Sequence, residues 1–165
     1  MTRIAPADLP DELPIHNDLV RVTYRNPEMH RGFASLSGRV HSASHLPART
    51  RELIVLAVAA HLGAAFEWEQ HEPMARRAGV TDEEISGLEI GDLEVLDGVE
   101  RAAVTFALAV DDRTVDDDTW AAASEHLTDE ELLDITLLAG FYGLASRLVL
   151  AVDLTSEAPA DDEPG

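Results

Sequence analysis

The sequence predicts an all-α protein of six to eight helices. Apolar residues either recur at helical spacing or fill whole segments. These segments are bounded by proline, glycine and capping signals. The alternation of apolar and polar residues that is typical of strands is almost absent. The length of 165 residues fits one domain. We expect an extended lead-in over residues 1–15, a helical domain over residues 16–154 and a disordered acidic tail over residues 155–165.

The first clear helical segments are "NPEMHRGFASLSGRV" and "LPARTRELIVLAVAAHLG". The first has a proline near its start, which suits a first helical turn. The second opens at Pro47 and closes at Gly63, the usual asymmetry of helix ends. Its centre, residues 53–60, is apolar on every side, which is typical of a helix buried all round.

The next helix is predicted from near Phe66 to "RRAGV", with Gly79 as a left-handed C-cap and Pro73 bending it. Two "TDEE" segments, at 81–84 and 128–131, match the capping-box pattern. The first opens a short helix and the second a long one ending near Val152. "GVERAAVTFALAVDD" and "DDDTWAAASEHL" add two more helices.

Two of these helices, over residues 53–60 and 135–152, lack a polar face. Because so much apolar surface is difficult to bury in a small monomer, this composition predicts an oligomer. Asp134 and Arg147 interrupt the longest apolar segment, which favours a buried or interface helix over a membrane span. The N-terminus has no apolar signal region, so we expect a cytoplasmic protein.

The charge balance limits the partners that the chain can bind. Asp and Glu number 32 against 12 cations, a formal net charge of −20, and every cation is Arg. Such a surface repels nucleic acid and anionic membranes, and we expect neither as a partner. A high-salt cytoplasm and a bias toward Arg codons both fit this acidic, lysine-free composition. There is no Cys, which excludes disulfides, thiolate metal ligands and thiol redox chemistry.

One segment, "AAFEWEQHEP", places Glu67 and His71 four residues apart on one helix face. A carboxylate there can orient the imidazole and raise its pKa, as a proton shuttle requires. The alternative is an exposed ion pair of little energetic weight. Glu52 enters the most apolar helix, where an unpaired carboxylate is costly. As a functional residue it would be a second acid or base, or a partner that holds His71. Alternatively, it interacts with the helix dipole in the first turn or forms a salt bridge with Arg49 or Arg51.

A metal site is an alternative, with Glu52, Glu67 and His71 as ligands for Zn²⁺, Mn²⁺ or Fe²⁺. His41 and His45 could add nitrogen ligands, but we interpret them as surface or interface residues. Since the metalloprotease helix motif is missing, we expect no cofactor.

Three further residues are predicted to bind substrate. Trp68 would wall an apolar pocket, although core packing also explains it, and Tyr142 lies on the last predicted helix. Arg147 would recognise a substrate carboxylate, or else form an ion pair with Asp134 or Asp153.

A family resemblance is carried by "NPEM", by the run from "LPARTRELIVLAVAA" to "TDEEISGL", and by the later segments through Val152. Together these segments resemble the carboxymuconolactone decarboxylase family. This family includes peroxidases of the alkyl hydroperoxide reductase D (AhpD) type. The resemblance implies an AhpD-like helical bundle, a homotrimer or homohexamer, and active sites near subunit contacts.

The resemblance also assigns site residues. The peroxidase branch carries a Glu that corresponds to Glu52 and a His that corresponds to His71. Between them it carries a Cys-x-x-Cys, whose two cysteines correspond to Ala64 and Glu67. Because both thiols are absent, peroxidase activity is not expected. The decarboxylase branch carries Glu-x-x-x-His, which corresponds to Glu67 and His71.

We therefore predict a cofactor-independent acid–base enzyme, of decarboxylase, other lyase or isomerase type, acting on a small carboxylated or carbonyl compound. His71 would donate or accept the proton. Glu67 would orient the imidazole of His71, and Glu52 would be an auxiliary carboxylate. The alternatives are a metal-dependent enzyme using these residues and a non-catalytic oligomeric binding protein.

Overall fold

The computed structural model describes residues 2–13, 15 and 17–155. These residues form eight α-helices and one 3₁₀ turn (Leu93–Val95), without a strand, which confirms the all-α prediction. Apart from residue 155, the predicted acidic tail lies outside them. The helices are α1 (Asp18–Thr23), α2 (Pro27–Ser42), α3 (Ala48–Leu62), α4 (Ala65–Arg77), α5 (Asp82–Ile90), α6 (Gly98–Asp112), α7 (Asp117–Ser124) and α8 (Asp129–Val152).

Helix α3 is the centre of the core, as its apolar composition predicts. Every residue from Leu53 to Ala59 is buried, and α3 packs against α4, α5, α6 and α8. A helix surrounded on all sides needs no polar face. Glu52, on this helix, is therefore held inside the protein.

Local signals set the helix ends. Thr81 and Thr128 each form the predicted capping box, with Glu84 and Glu131. Gly63 ends α3 at a φ of 67°, a left-handed conformation that glycine adopts without steric cost. The chain reverses there, and α4 returns along α3.

Arg49 joins α3 to the neighbouring helices. Its guanidinium donates to Glu84 at 2.5 Å, to Glu100 at 2.9 Å and to the carbonyl of Gly79. This ion pair lowers the pKa of Glu84. Arg49 is thus not the partner of Glu52, one of the pairings that the sequence left open.

Helix α8 is long and apolar enough to cross a membrane, with a mean hydropathy of 1.8, but 56% of that window is buried inside the fold. A buried core helix meets the same criterion. Its outer face carries a row of exposed leucines spaced four and seven residues apart, Leu133, Leu137 and Leu144. Leu36 of α2 lies beside Leu137 in one shallow depression. We call these four residues the leucine stripe.

Candidate active site

The site is built around a buried pair between α3 and α4. The reversal at Gly63 brings His71, in the middle of α4, back to Glu52, near the start of α3. His71 Nδ1 lies 2.9 Å from Glu52 Oε2, and the two side chains are 10% and 7% exposed. The structure thus places Glu52 beside His71, one of the roles that the sequence allowed.

Tyr142 of α8 and His41 of α2 extend this pair. The Tyr142 hydroxyl lies 3.1 Å from His71 Nε2 and 2.6 Å from His41 Nε2. The two imidazole rings are parallel within 10°, and the phenol stands edge-on to both. Four side chains from four helices therefore form one line of hydrogen bonds, Glu52–His71–Tyr142–His41, which we call the relay.

The carboxylate end sets the direction of the hydrogen bonds along the relay. When Glu52 is ionised it only accepts, so a neutral His71 carries its hydrogen on Nδ1 and accepts at Nε2. The Tyr142 hydroxyl then donates to His71 and accepts from His41 Nε2–H. When His71 becomes doubly protonated, both bonds of the hydroxyl reverse. A proton can thus pass between the two imidazoles while Tyr142 stays neutral.

The electrostatics of the relay favour a neutral Tyr142. Burial raises the pKa of the phenol well above its usual value, and Glu67 and Glu52, when ionised, raise it further, against the opposing charge of Arg51. A phenolate is therefore disfavoured here. Tyr142 is suited to conducting a proton rather than to holding a negative charge.

The pKa of His41 is lowered, chiefly because burial disfavours the imidazolium. The positive charges of His71 and Arg51 lower it further, and Glu52 opposes them. His41 is half-buried, the least enclosed member of the relay. It is therefore available as a neutral base at a pH where an ordinary histidine is partly charged.

Glu67 lies beside the relay but outside its line. The residue is only 4% exposed, and its Oε1 has no hydrogen-bond partner within the described part of the chain. Burial raises its pKa, an effect that His71 partly offsets. The sequence predicted Glu67 as the group that orients His71, but the hydrogen bond to the imidazole comes from Glu52.

A cavity of about 360 Å³ meets the relay at His41, His71 and Tyr142, and Glu67 also lines it. This volume lies in the range of small-molecule sites. Ser37 and Gln70 add polar groups. Most of the remaining wall is apolar and consists of Ile15, Leu19, Phe33, Phe66, Met74, Phe141 and Ala145.

The structure separates the three residues predicted to bind substrate. Tyr142 lines the cavity, whereas Trp68 lines a different depression beside Ala64 and packs against the core. Arg147 lies 3.0 Å from Asp111, a partner that the sequence did not suggest, and it does not line the cavity.

His41 is the site residue that sequence reasoning missed. Its spacing from His45 suggested a surface pair, but His45 instead contacts Asp134 at 3.0 Å. The informative spacing is Phe33, Ser37 and His41, four residues apart on α2, and all three line the cavity.

The geometry does not support the predicted metal site at Glu52, Glu67 and His71. Both nitrogens of His71 are already in hydrogen bonds, Nδ1 with Glu52 and Nε2 with Tyr142. Among the described residues, the side chains close enough to share an ion lie elsewhere, at His61, Asp111 and Asp112. Arg147 neutralises part of that cluster through Asp111.

The sequence matches the profile of the carboxymuconolactone decarboxylase family over residues 27–111. A search of curated proteins gave no match. Among solved structures, a peroxidase-related protein from Ralstonia eutropha JMP134 with an alkylhydroperoxidase AhpD core is 22% identical, with a TM-score of 0.81, and the alignment covers 94% of this chain and 92% of that one.

Two further solved structures are similar. A protein of unknown function from Agrobacterium tumefaciens is 25% identical, with a TM-score of 0.75 and coverage of 84% of this chain and 96% of that one. The debrominase Bmp8, solved with 2,3,4-tribromopyrrole, is 19% identical, with a TM-score of 0.76 and coverage of 88% and 80%. These likenesses confirm the AhpD-like fold.

Proposed function

Because the chain belongs to the carboxymuconolactone decarboxylase family and has no cysteine, we propose that it is a cofactor-independent acid–base enzyme that moves a proton on a small carbonyl compound. Isomerase and lyase reactions both fit, since each passes through an enolate. The observation that carries the proposal is the unbroken relay from Glu52 to the cavity.

In the proposed reaction, neutral His41 removes a proton from the carbon beside the carbonyl. The electron pair of the broken C–H bond moves into the carbonyl to form the enolate. The proton passes through the Tyr142 hydroxyl to His71, where the Glu52 carboxylate stabilises the imidazolium. Returning the proton to another carbon completes an isomerisation. In a decarboxylation, loss of CO₂ would generate the enolate and His71 would supply the proton.

A purely structural role for these side chains is less consistent with their energetics. Glu52 and Glu67 are both buried, and buried ionisable groups seldom stabilise a fold as well as apolar side chains of similar size. Retaining both, at a cavity, is typical of a functional site.

The test is hydrogen exchange on a simple ketone. We expect the protein in D₂O to replace the methyl hydrogens of acetophenone with deuterium faster than buffer does, as followed by proton NMR. Filling the cavity with Ser37→Trp should slow this exchange by at least about tenfold, because the ketone loses its position beside His41.

Circular dichroism and the unfolding temperature show whether the Ser37→Trp protein is folded. The proposal fails if acetophenone and a panel of other small ketones exchange no faster than in buffer, or if the folded Ser37→Trp protein is as active as the wild type.

We also propose that the chain self-associates through the leucine stripe, as the homotrimer or homohexamer that the family resemblance implies. Leu133, Leu137 and Leu144 are each more than half exposed, at 58%, 51% and 53%, and a second copy would bury them.

Placing a charge in the leucine stripe tests this proposal. Leu137→Arg should shift the sedimentation profile toward the monomer, because an unpaired cation in an apolar interface is costly. Ala121→Arg, on the exposed face of α7, adds the same charge elsewhere and should leave the profile unchanged. A wild-type monomer at micromolar concentration would contradict the proposal.

A further inference from the structure

We infer that Glu67 recognises the substrate as a carboxylic acid, by donating a hydrogen bond to the carbonyl oxygen of an uncharged, largely apolar ketone or aldehyde. The inference rests on the proposed function, because it concerns the same cavity. It goes further by naming the group that binds the oxygen and by excluding substrates that carry a charge, which leaves isomerisation rather than decarboxylation.

The position of Glu67 is the first argument. Its side chain lines the cavity, the residue is 96% buried, and its Oε1 has no hydrogen-bond partner among the described residues. Buried polar atoms are nearly always paired, and one left without a partner is costly. A ligand that pairs with this carboxyl therefore gains an interaction that the empty protein lacks.

The surrounding charges are the second argument. The relay already holds Glu52, which accepts a hydrogen bond from His71 Nδ1. Within the described part of the chain Glu67 has no such hydrogen-bonded partner, and burial raises its pKa, which favours the protonated acid. A protonated carboxyl can donate to a carbonyl oxygen, whereas a carboxylate can only accept.

The absence of an arginine from the described cavity wall is the third argument. Arg147, predicted to bind a substrate carboxylate, is engaged with Asp111. Arg51, whose charge acts on Tyr142 and His41, donates to the carbonyl of Leu46 at 2.6 Å. With neutral imidazoles and a protonated Glu67 in the wall, a charged substrate would lose its hydration without gaining an opposite charge, so an uncharged molecule is favoured.

The arrangement also suits the chemistry of the enolate. Negative charge grows on the carbonyl oxygen as His41 takes the proton, and a donor held at that oxygen binds the transition state more tightly than the ketone. Glu67 keeps its own hydrogen throughout, so the proton removed from carbon still travels along the relay.

Matched probes of similar shape test the preference for an uncharged ligand. Acetophenone, benzoate and benzamidine (a cation at neutral pH) share a phenyl ring and differ in charge. Ligand-observed NMR titrations at pH 7 should show acetophenone binding at least about tenfold more tightly than either ion.

Two substitutions at Glu67 test the hydrogen bond. Glu67→Gln retains an N–H donor and cannot ionise, so its affinity for acetophenone should stay within about threefold of wild type. Glu67→Leu removes the donor and should weaken binding by about tenfold. Infrared spectra of the wild type should show the carbonyl band of a protonated carboxylic acid, and Glu67→Gln should remove it.

The inference is overturned if either ion binds as tightly as acetophenone, if Glu67→Leu binds acetophenone like the wild type, or if Glu67→Gln removes no protonated-acid band. Binding does not require turnover, so selective binding of acetophenone without deuterium exchange would contradict the proposed function alone. Exchange that survives Glu67→Leu at an unchanged rate and affinity would contradict this inference alone.

Discussion

Tyr142→Phe is expected to slow deuterium exchange by about 10²- to 10⁴-fold, the usual contribution of general acid–base catalysis. The change removes only the hydroxyl that joins His41 to His71. The ring should keep its place, because Tyr142 is 3% exposed and packs edge-on against His71 and Phe141. The measurement is the exchange rate of acetophenone by proton NMR, with the protein saturated by the ketone.

The chain offers a matched control, since its other tyrosine, Tyr24, packs against His30 away from the cavity. Tyr24→Phe should exchange like the wild type. Residues that act as one unit are not additive, so Tyr142→Phe combined with His71→Asn should be little slower than either alone. Full independence of the two losses would show that the relay does not act as a unit.

The pH profile of exchange follows from His41. The base works in its neutral form, which exists above its pKa, and the lowered pKa extends that form to lower pH. Exchange should therefore rise with pH and level off below the ordinary histidine value of about 6.5. A midpoint at or above that value would contradict the assignment of His41 as the base.

His71→Leu is expected to destabilise the fold by about 3–5 kcal/mol at pH 7, because it leaves the Glu52 carboxylate buried without its partner. Replacing both residues, in Glu52→Leu with His71→Leu, should recover most of this loss or exceed the wild type, since apolar side chains then fill the space. The measurement is the free energy of unfolding from urea titrations.

An exposed pair provides the comparison. His61 lies 2.8 Å from Asp112, with side chains 39% and 47% exposed. His61→Leu should therefore change stability by no more than about 1 kcal/mol. If the double variant at Glu52 and His71 were less stable than His71→Leu alone, the pair would be a net stabilising element of the core, contrary to this expectation.

The helices could largely be predicted from the sequence because their signals are local. Proline, glycine and the two capping boxes act within a few residues, and α2 to α8 appear where these signals lie. Helix α1, of six residues, and the 3₁₀ turn were missed, because segments this short carry too few residues to show a period.

The site could be predicted only in part, since its contacts join distant segments. Glu67 and His71 share a helix face, and that spacing is visible in the sequence. The hydrogen bonds of His71, however, go to residues 19 and 71 positions away. Which carboxylate meets the imidazole depends on how α3 and α4 pack, and the spacing within α4 does not determine it.

Helix geometry explains why Trp68 and Arg147 lie outside the cavity. Successive residues of an α-helix are rotated by about 100°. Phe66, Glu67 and His71 share the face of α4 that lines the cavity, and the rotation carries Trp68 away from this face. Five positions separate Tyr142 from Arg147, which places the two side chains on widely different faces of α8.

The outermost member of the relay stands on a loosely anchored helix. Among the described residues, α2 buries only His30 and Val40, whereas α3, which carries Glu52, buries nine side chains. Elements with few buried contacts open at the lowest free energy. Displacement of α2 would separate His41 from the Tyr142 hydroxyl, while the Glu52–His71 pair, on α3 and α4, would keep its geometry. The position of α2 would then determine whether a proton can pass along the relay. A ligand bound against Phe33 and Ser37 would hold α2 in the position that keeps the relay connected.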